Sequence, residues 1–137
     1  MKPFLPGLAM VGLSAAPAHA QDWDCSRPGE LPQLGINWCA GEEYGRADDA
    51  LNAAWTKVRA YMKSVDEANG EYFPEQAVAA ESLLKAQRAW IDYRDGQCEA
   101  EGAQFAGGSI RPLITISCKT RMTRQRTEEL LLLMQGN

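Results

Sequence analysis

Four cysteines behind an export leader constrain this chain more than any other feature. Lys2 precedes a mostly apolar run from Phe4 to Ala18, and Ala18-His19-Ala20 has the small-residue pattern of a leader cleavage site. The run is too short to serve as a stable membrane anchor. Residues 1–20 are therefore expected to be a signal peptide, with the processed chain beginning near Gln21. Cys25, Cys39, Cys98 and Cys118 all remain after that cut. An even count in a small exported domain predicts two disulfides. Zinc is the weaker reading, because no two cysteines form a CxxC pair and the only histidine, His19, leaves with the leader. Gln21-Asp22-Trp23-Asp24 is polar and acidic, so Cys25 lacks a lipobox and no lipid anchor is expected there.

The net charge of the whole chain is −4. All the acidic residues lie beyond residue 20, while Lys2 goes with the leader, so the processed chain is slightly more acidic still. Such a balance argues against nucleic acid or an anionic membrane as a partner. It suits a basic protein partner, and it also serves plain solubility.

Helical periodicity runs through most of the remainder. Leu83, Gln87, Trp90, Arg94 and Cys98 recur at steps of three or four and share one helix face. Tyr44, Ala47, Leu51, Ala54, Val58, Tyr61 and Val65 do the same on an earlier helix. That helix is expected to be capped by Asn37 and to stop at Asn69-Gly70. Residues 21–36, with Pro28, Gly29, Pro32 and Gly35, read as an irregular lead segment, and 37–137 as the helical domain. The second helix is expected from about Pro74 to Cys98 or slightly beyond. Residues 102–111 form a glycine-rich loop, and Pro112 opens a third helix through Cys118, Met122, Arg126 and Leu130 to about Met134.

The fold class predicted is all-α: an antiparallel three-helix, up-down-up bundle with two disulfides at one end. That topology gathers the start of the first helix, the end of the second and the start of the third, and all four cysteines with them. Four cysteines allow three connectivities. The local pairing Cys25–Cys39 and Cys98–Cys118 is favoured, and the second bridge would close the glycine-rich loop.

A buried face carrying Gln87 and Arg94 needs polar partners. Antiparallel register sets Arg94 level with Asp48 and Trp90 level with Asn52, so an Arg94–Asp48 ion pair is expected. Arg126 of the third helix should come near Trp90. The seam Asp48, Asn52, Gln87, Trp90, Arg94 and Arg126 reads as structural adhesion between helices.

Several of these residues also carry a resemblance. Cys39-Ala40, Glu43-Tyr44, Ala47-Asp48 and Leu51-Asn52 are followed by Leu84-Lys85-Ala86-Gln87-Arg88-Ala89-Trp90, by Tyr93-Arg94-Asp95 and by Cys98. Gly108-Ser109, Cys118, Thr123, Arg126 and Leu130 complete the pattern. It resembles the LprI family of small exported proteins, named for a lysozyme inhibitor, over about residues 37–131. Trp55 stands where that family often has tyrosine, and the missing lipobox departs from the namesake's lipoprotein character. The resemblance implies a helical, disulfide-linked domain that is periplasmic or secreted.

Catalysis finds little support in the residues. No histidine survives processing, and Ser64, Ser82, Ser109 and Ser117 have no evident activating base. Glu42, Glu43, Asp48 and Asp49 sit at helix spacing, where pairing or solvation is the expected role. No metal, cofactor or enzymatic activity is therefore expected. The function expected is binding: a lysozyme-inhibitor-like protein that occludes a glycosidase cleft. Loop residues Gly107, Gly108, Ser109 and Arg111 are the candidate contact, and acidity would speed encounter with a basic lysozyme. The alternative is an envelope assembly or stress-related interaction protein without lysozyme activity.

Overall fold

The computed structural model describes residues 22–135, so the expected signal peptide lies outside the described residues. Three helices make up nearly all of this part: α1 (Gln33–Tyr72), α2 (Ala79–Ala103) and α3 (Arg111–Leu132). Two short 3-10 turns, Pro28–Glu30 and Pro74–Gln76, precede α1 and α2. Among the described residues there is no strand. The predicted all-α bundle and both predicted disulfides are present.

With 40 residues, α1 is about 60 Å long and is the spine of the molecule. Its buried positions Ala40, Ala47 and Ala54 recur every seven residues, with Leu51 and Val58 between or beyond them. This is the spacing of a coiled-coil seam, and the alanines let a neighbouring helix approach closely. That neighbour is chiefly α3, with α2 packed against both. Leu51, Val58, Leu83 and Leu130 form the main apolar cluster, flanked by Trp55, Met62, Trp90 and Met134. A core this small stabilises a domain weakly, which is the physical reason for covalent bridges.

Helix boundaries depart from the sequence reading in instructive ways. The first helix starts at Gln33, after Pro32 at the cap position, and not at Asn37. Asn37 is thus one turn inside the helix, where its amide accepts from Gln33 and donates to a loop carbonyl. Gly35 belongs to this first turn because Trp23 lies over it; an added Cβ would sit 2.9 Å from the indole ring. The lead segment is therefore packed on α1 through Trp23 and bridged to it through Cys25.

Pro74 opens a 3-10 turn of its own, and α2 begins five residues later. The cap of α2 comes from α1: the Asp66 carboxylate accepts from the backbone N–H of Ala79 (2.6 Å) and of Ala80 (2.9 Å). A carboxylate on two first-turn amides satisfies orphan donors and suits the positive end of the helix dipole. Replacing Asp66 with alanine is expected to cost about 1–2 kcal/mol, read as a lowered denaturant midpoint with an unchanged m-value.

At its other end α2 runs on past Cys98 to Ala103, which shortens the predicted loop to residues 104–110. Gly102 makes this extension possible. It faces Thr115 of α3, and a Cβ there would collide with the threonine hydroxyl.

Candidate functional site

The disulfide end of the bundle holds the candidate loop. Cys98–Cys118 ties α2 to α3 with a Cα separation of 5.4 Å, and both cysteines are buried. Cys25–Cys39 ties the lead segment to α1 with a Cα separation of 5.5 Å, and Cys25 is exposed. Between the ends of the buried bridge the chain makes a compact series of turns. Phe105 N–H donates to Gly102, Ala106 N–H to Ala103, Gly108 N–H to Phe105 and Arg111 N–H to Gly108. Gly107 has φ 78°, the left-handed conformation in which a side chain is strained, and it allows the reversal.

The loop is also anchored from outside. Asn37 Nδ2 donates to the Ser109 carbonyl at 3.0 Å, joining the loop to the first turns of α1. Every residue from Gln104 to Ile110 is exposed. The amides of Gly107, Ser109 and Ile110 find no acceptor among the described residues. Arg111 is the first residue of α3, and its guanidinium is paired with Glu99 of α2. Of the four predicted loop residues, Gly107, Gly108 and Ser109 thus form the exposed turn, while Arg111 is held at its base.

The polar seam lies farther along the bundle. Arg94 is only 7% exposed. Its Nε donates to Asp95 at 2.9 Å, its Nη1 donates to Thr123 Oγ1 at 3.4 Å, and Asp48 Oδ1 stands 4.0 Å from Nη1. The expected Asp48 partner is therefore the more distant of two carboxylates. The guanidinium also lies over Trp90 and Tyr44, at 5.1 and 5.7 Å from the ring centroids. Arg126 lies 6.0 Å over Trp90 and donates through Nε to Gln87 Oε1 at 3.0 Å. Asn52 is exposed and donates within α1 to Asp48, at 3.1 Å. Among the described residues no buried side-chain nitrogen or oxygen lacks a partner. A satisfied buried network rigidifies and aligns helices.

Asp95 links this seam to α3, because Lys119 also reaches its Oδ1, at 3.1 Å. Burial opposes its ionisation most strongly as a single effect. The hydrogen bonds and charges of Arg94 and Lys119 together outweigh burial and hold the carboxyl below its ordinary value. A depressed folded-state pKa stabilises above the unfolded value, about 3.9, and that contribution is lost as pH falls through the folded value. Asp95 is half-exposed, so the effect is about 1 kcal/mol or less. The stability difference between the wild type and Asp95→Asn should be present at pH 7 and shrink below about pH 4, measured by denaturation at each pH.

Among the described residues no group of three histidine, cysteine or acidic side chains is arranged to hold a metal. No described helix is long and apolar enough to cross a membrane.

Comparison with known proteins bears on what this arrangement serves. The family described as Lysozyme inhibitor LprI matches residues 25–130, a span that includes both disulfides, the seam and the loop. The uncharacterized protein R02472 of Rhizobium meliloti (strain 1021) is 41% identical over 138 aligned residues, covering 99% of this chain and 98% of that one. The uncharacterized protein YecT of Escherichia coli (strain K12) is 32% identical over 101 residues, covering 71% of this chain and 61% of that one. No solved structure matches. With both bridges, the seam and all but the last two residues of the three helices inside the matched span, the chain belongs to the LprI lysozyme-inhibitor family.

Proposed function

We propose that this chain is an exported binding protein that inhibits a lysozyme by inserting the turn at residues 104–110 into the glycosidase cleft. Membership of the LprI family over residues 25–130 is the observation that carries this reading. The chemistry of the turn fits it. Glycosidases of this kind work with two carboxylates beside the scissile bond. A plug for such a cleft needs exposed hydrogen-bond donors on a rigid support. The Ser109 hydroxyl and the unpartnered amides of Gly107, Ser109 and Ile110 are such donors. The Cys98–Cys118 bridge and the Asn37 contact hold them in place, which lowers the entropic cost of binding.

The role is that of a binder, without catalysis, metal or cofactor. Two disulfides fit an oxidising compartment, the periplasm or the exterior. The partner is a protein, and the acidic surface steers a basic enzyme toward the chain.

A turbidity assay with lysozymes of several types tests the reading. Micromolar wild-type protein should inhibit at least one of them. Ser109→Glu, at an exposed position, sets a carboxylate against the enzyme's carboxylates and should weaken inhibition by about tenfold or more. No inhibition of any lysozyme overturns the reading, and undiminished inhibition by Ser109→Glu removes the turn from it.

A further inference from the structure

A second surface lies on the flank of the bundle, between α2 and α3. On α2, Tyr93, Gln97 and Glu101 repeat every four residues; on α3, Arg121, Gln125 and Glu129 do the same. Residues four apart share a helix face, so the two stripes run along the two walls of one groove. The groove holds a cavity of about 220 Å³ lined by both stripes, with Trp90 and Met122 completing it.

Its chemistry is specific. Tyr93 is 62% exposed, a large aromatic surface held out to solvent. Trp90 is half-buried and held by the arginines of the seam. Each carboxylate is matched by an amide and by an arginine. Gln97 donates to Glu101 at 3.1 Å, and Arg121 pairs with Glu101 at 3.0 Å. Gln125 donates to Glu129 at 3.0 Å, and Arg126 pairs with Glu129 at 3.2 Å. The groove is thus dense in donors and acceptors yet close to neutral in charge.

That combination selects a class of ligand. An anion would meet two carboxylates, and a cation would meet arginines. An apolar ligand would leave the amides and carboxylates dehydrated and unpaired. A neutral polyol with one flat, C–H-rich face satisfies everything present. Its hydroxyls can both donate to the carboxylates and accept from the amides and Arg121, while its face lies on Tyr93. The cavity is smaller than pockets for drug-sized molecules, and a single pyranose ring suits it.

We infer that the α2–α3 groove is a binding site for one ring of a neutral saccharide, with Tyr93 as the stacking platform. Vicinal hydroxyls meet the Gln97–Glu101 and Gln125–Glu129 pairs. The site is partly open to solvent and small, so affinity is weak, in the range of about 1 mM. It is independent of the lysozyme reading, because it shares no residue with the turn.

Titration of the 15N-labelled full processed chain tests this. The probes are glucose, N-acetylglucosamine, and a linear β-1,4-linked trimer of each, with acetate and a lysine-rich peptide as charged comparators. At least one saccharide should give saturable shifts of the Gln97 and Gln125 side-chain amides and of residues around Tyr93. Tyr93→Ala should weaken that binding by about tenfold, while Tyr72→Ala, at another exposed tyrosine, should leave it unchanged. Both positions are solvent-facing, and an unchanged amide spectrum elsewhere verifies folding. No saturable shift with any saccharide overturns the inference, as does equal binding by Tyr93→Ala, or saturation by a charged comparator alone.

Discussion

Replacing Cys98 and Cys118 together with alanine is expected to lower the unfolding free energy by about 3 kcal/mol. The bridge spans 20 residues, and closing a loop of that size removes about this much conformational freedom from the unfolded chain. Both sulfurs are buried and pack with Met122, so the alanines also lose apolar contact. For a domain of this size the melting temperature should fall by about 10–20 °C. The corresponding change at Cys25 and Cys39 should cost less than the same formula gives. Its closed loop includes the exposed lead segment, which can detach from α1 without unfolding the bundle. Mild reductant should accordingly open Cys25–Cys39 first, because Cys25 is exposed and Cys98 is fully buried. Peptide mapping after brief reduction and alkylation reads the order directly. Simultaneous opening of both bridges would contradict the packing described for the second.

The other large effect belongs to Arg94. Alanine there removes the charge-assisted hydrogen bond to Asp95, the contact with Thr123, and the guanidinium lying over Trp90 and Tyr44. These contributions together come to about 3 kcal/mol. The carboxylates of Asp48 and Asp95 are half-exposed and can be rehydrated, so the loss stays below that of a fully buried ion pair. Arg94→Lys should recover little, since an ammonium cannot bridge Asp95 and Thr123 while covering a ring. Arg94→Met restores volume but leaves the fully buried Thr123 hydroxyl short of its donor. Adding Thr123→Val to Arg94→Met should then recover part of the loss, and urea denaturation of the wild type, Arg94→Met, Thr123→Val and the double variant measures the coupling.

Most of the bundle was legible because helix periodicity is a local signal. The repeats through Leu51, Ala54 and Val58, and through Leu83, Gln87, Arg94 and Cys98, require only counting along one stretch of chain. Topology gathered all four cysteines at one end and left three pairings open; the local pairing that was favoured is the one present. What could not be read locally depends on residues distant in sequence. Asp66 caps α2 from 13 residues before the amide it accepts from, and nothing near Ala79 announces it. Pro74 looked like a helix start because proline suits any first turn, and here it begins a 3-10 turn instead. Asn37 has the chemistry of a cap, but its amide serves the loop at Ser109, 72 residues away.

Side-chain choice between nearby partners was similarly hidden. Register put Arg94 level with Asp48 to within one turn, but could not rank Asp48 against the adjacent Asp95. The proposed turn was located by its glycines, whereas the capture of Arg111 by Glu99 required knowing that α2 continues to Ala103. The stripes Tyr93, Gln97, Glu101 and Arg121, Gln125, Glu129 formed no part of the sequence reading. Their meaning depended on the two faces being turned toward each other across one groove.

Hydrogen exchange of the chain, alone and with a lysozyme it inhibits, tests the central claim most directly. In the free protein the exposed amides of Gly107, Ser109 and Ile110 should exchange rapidly, and the enzyme should slow them more than any others. Protection confined to the opposite end, around Tyr72 and Phe73, with residues 104–110 unchanged, would contradict it.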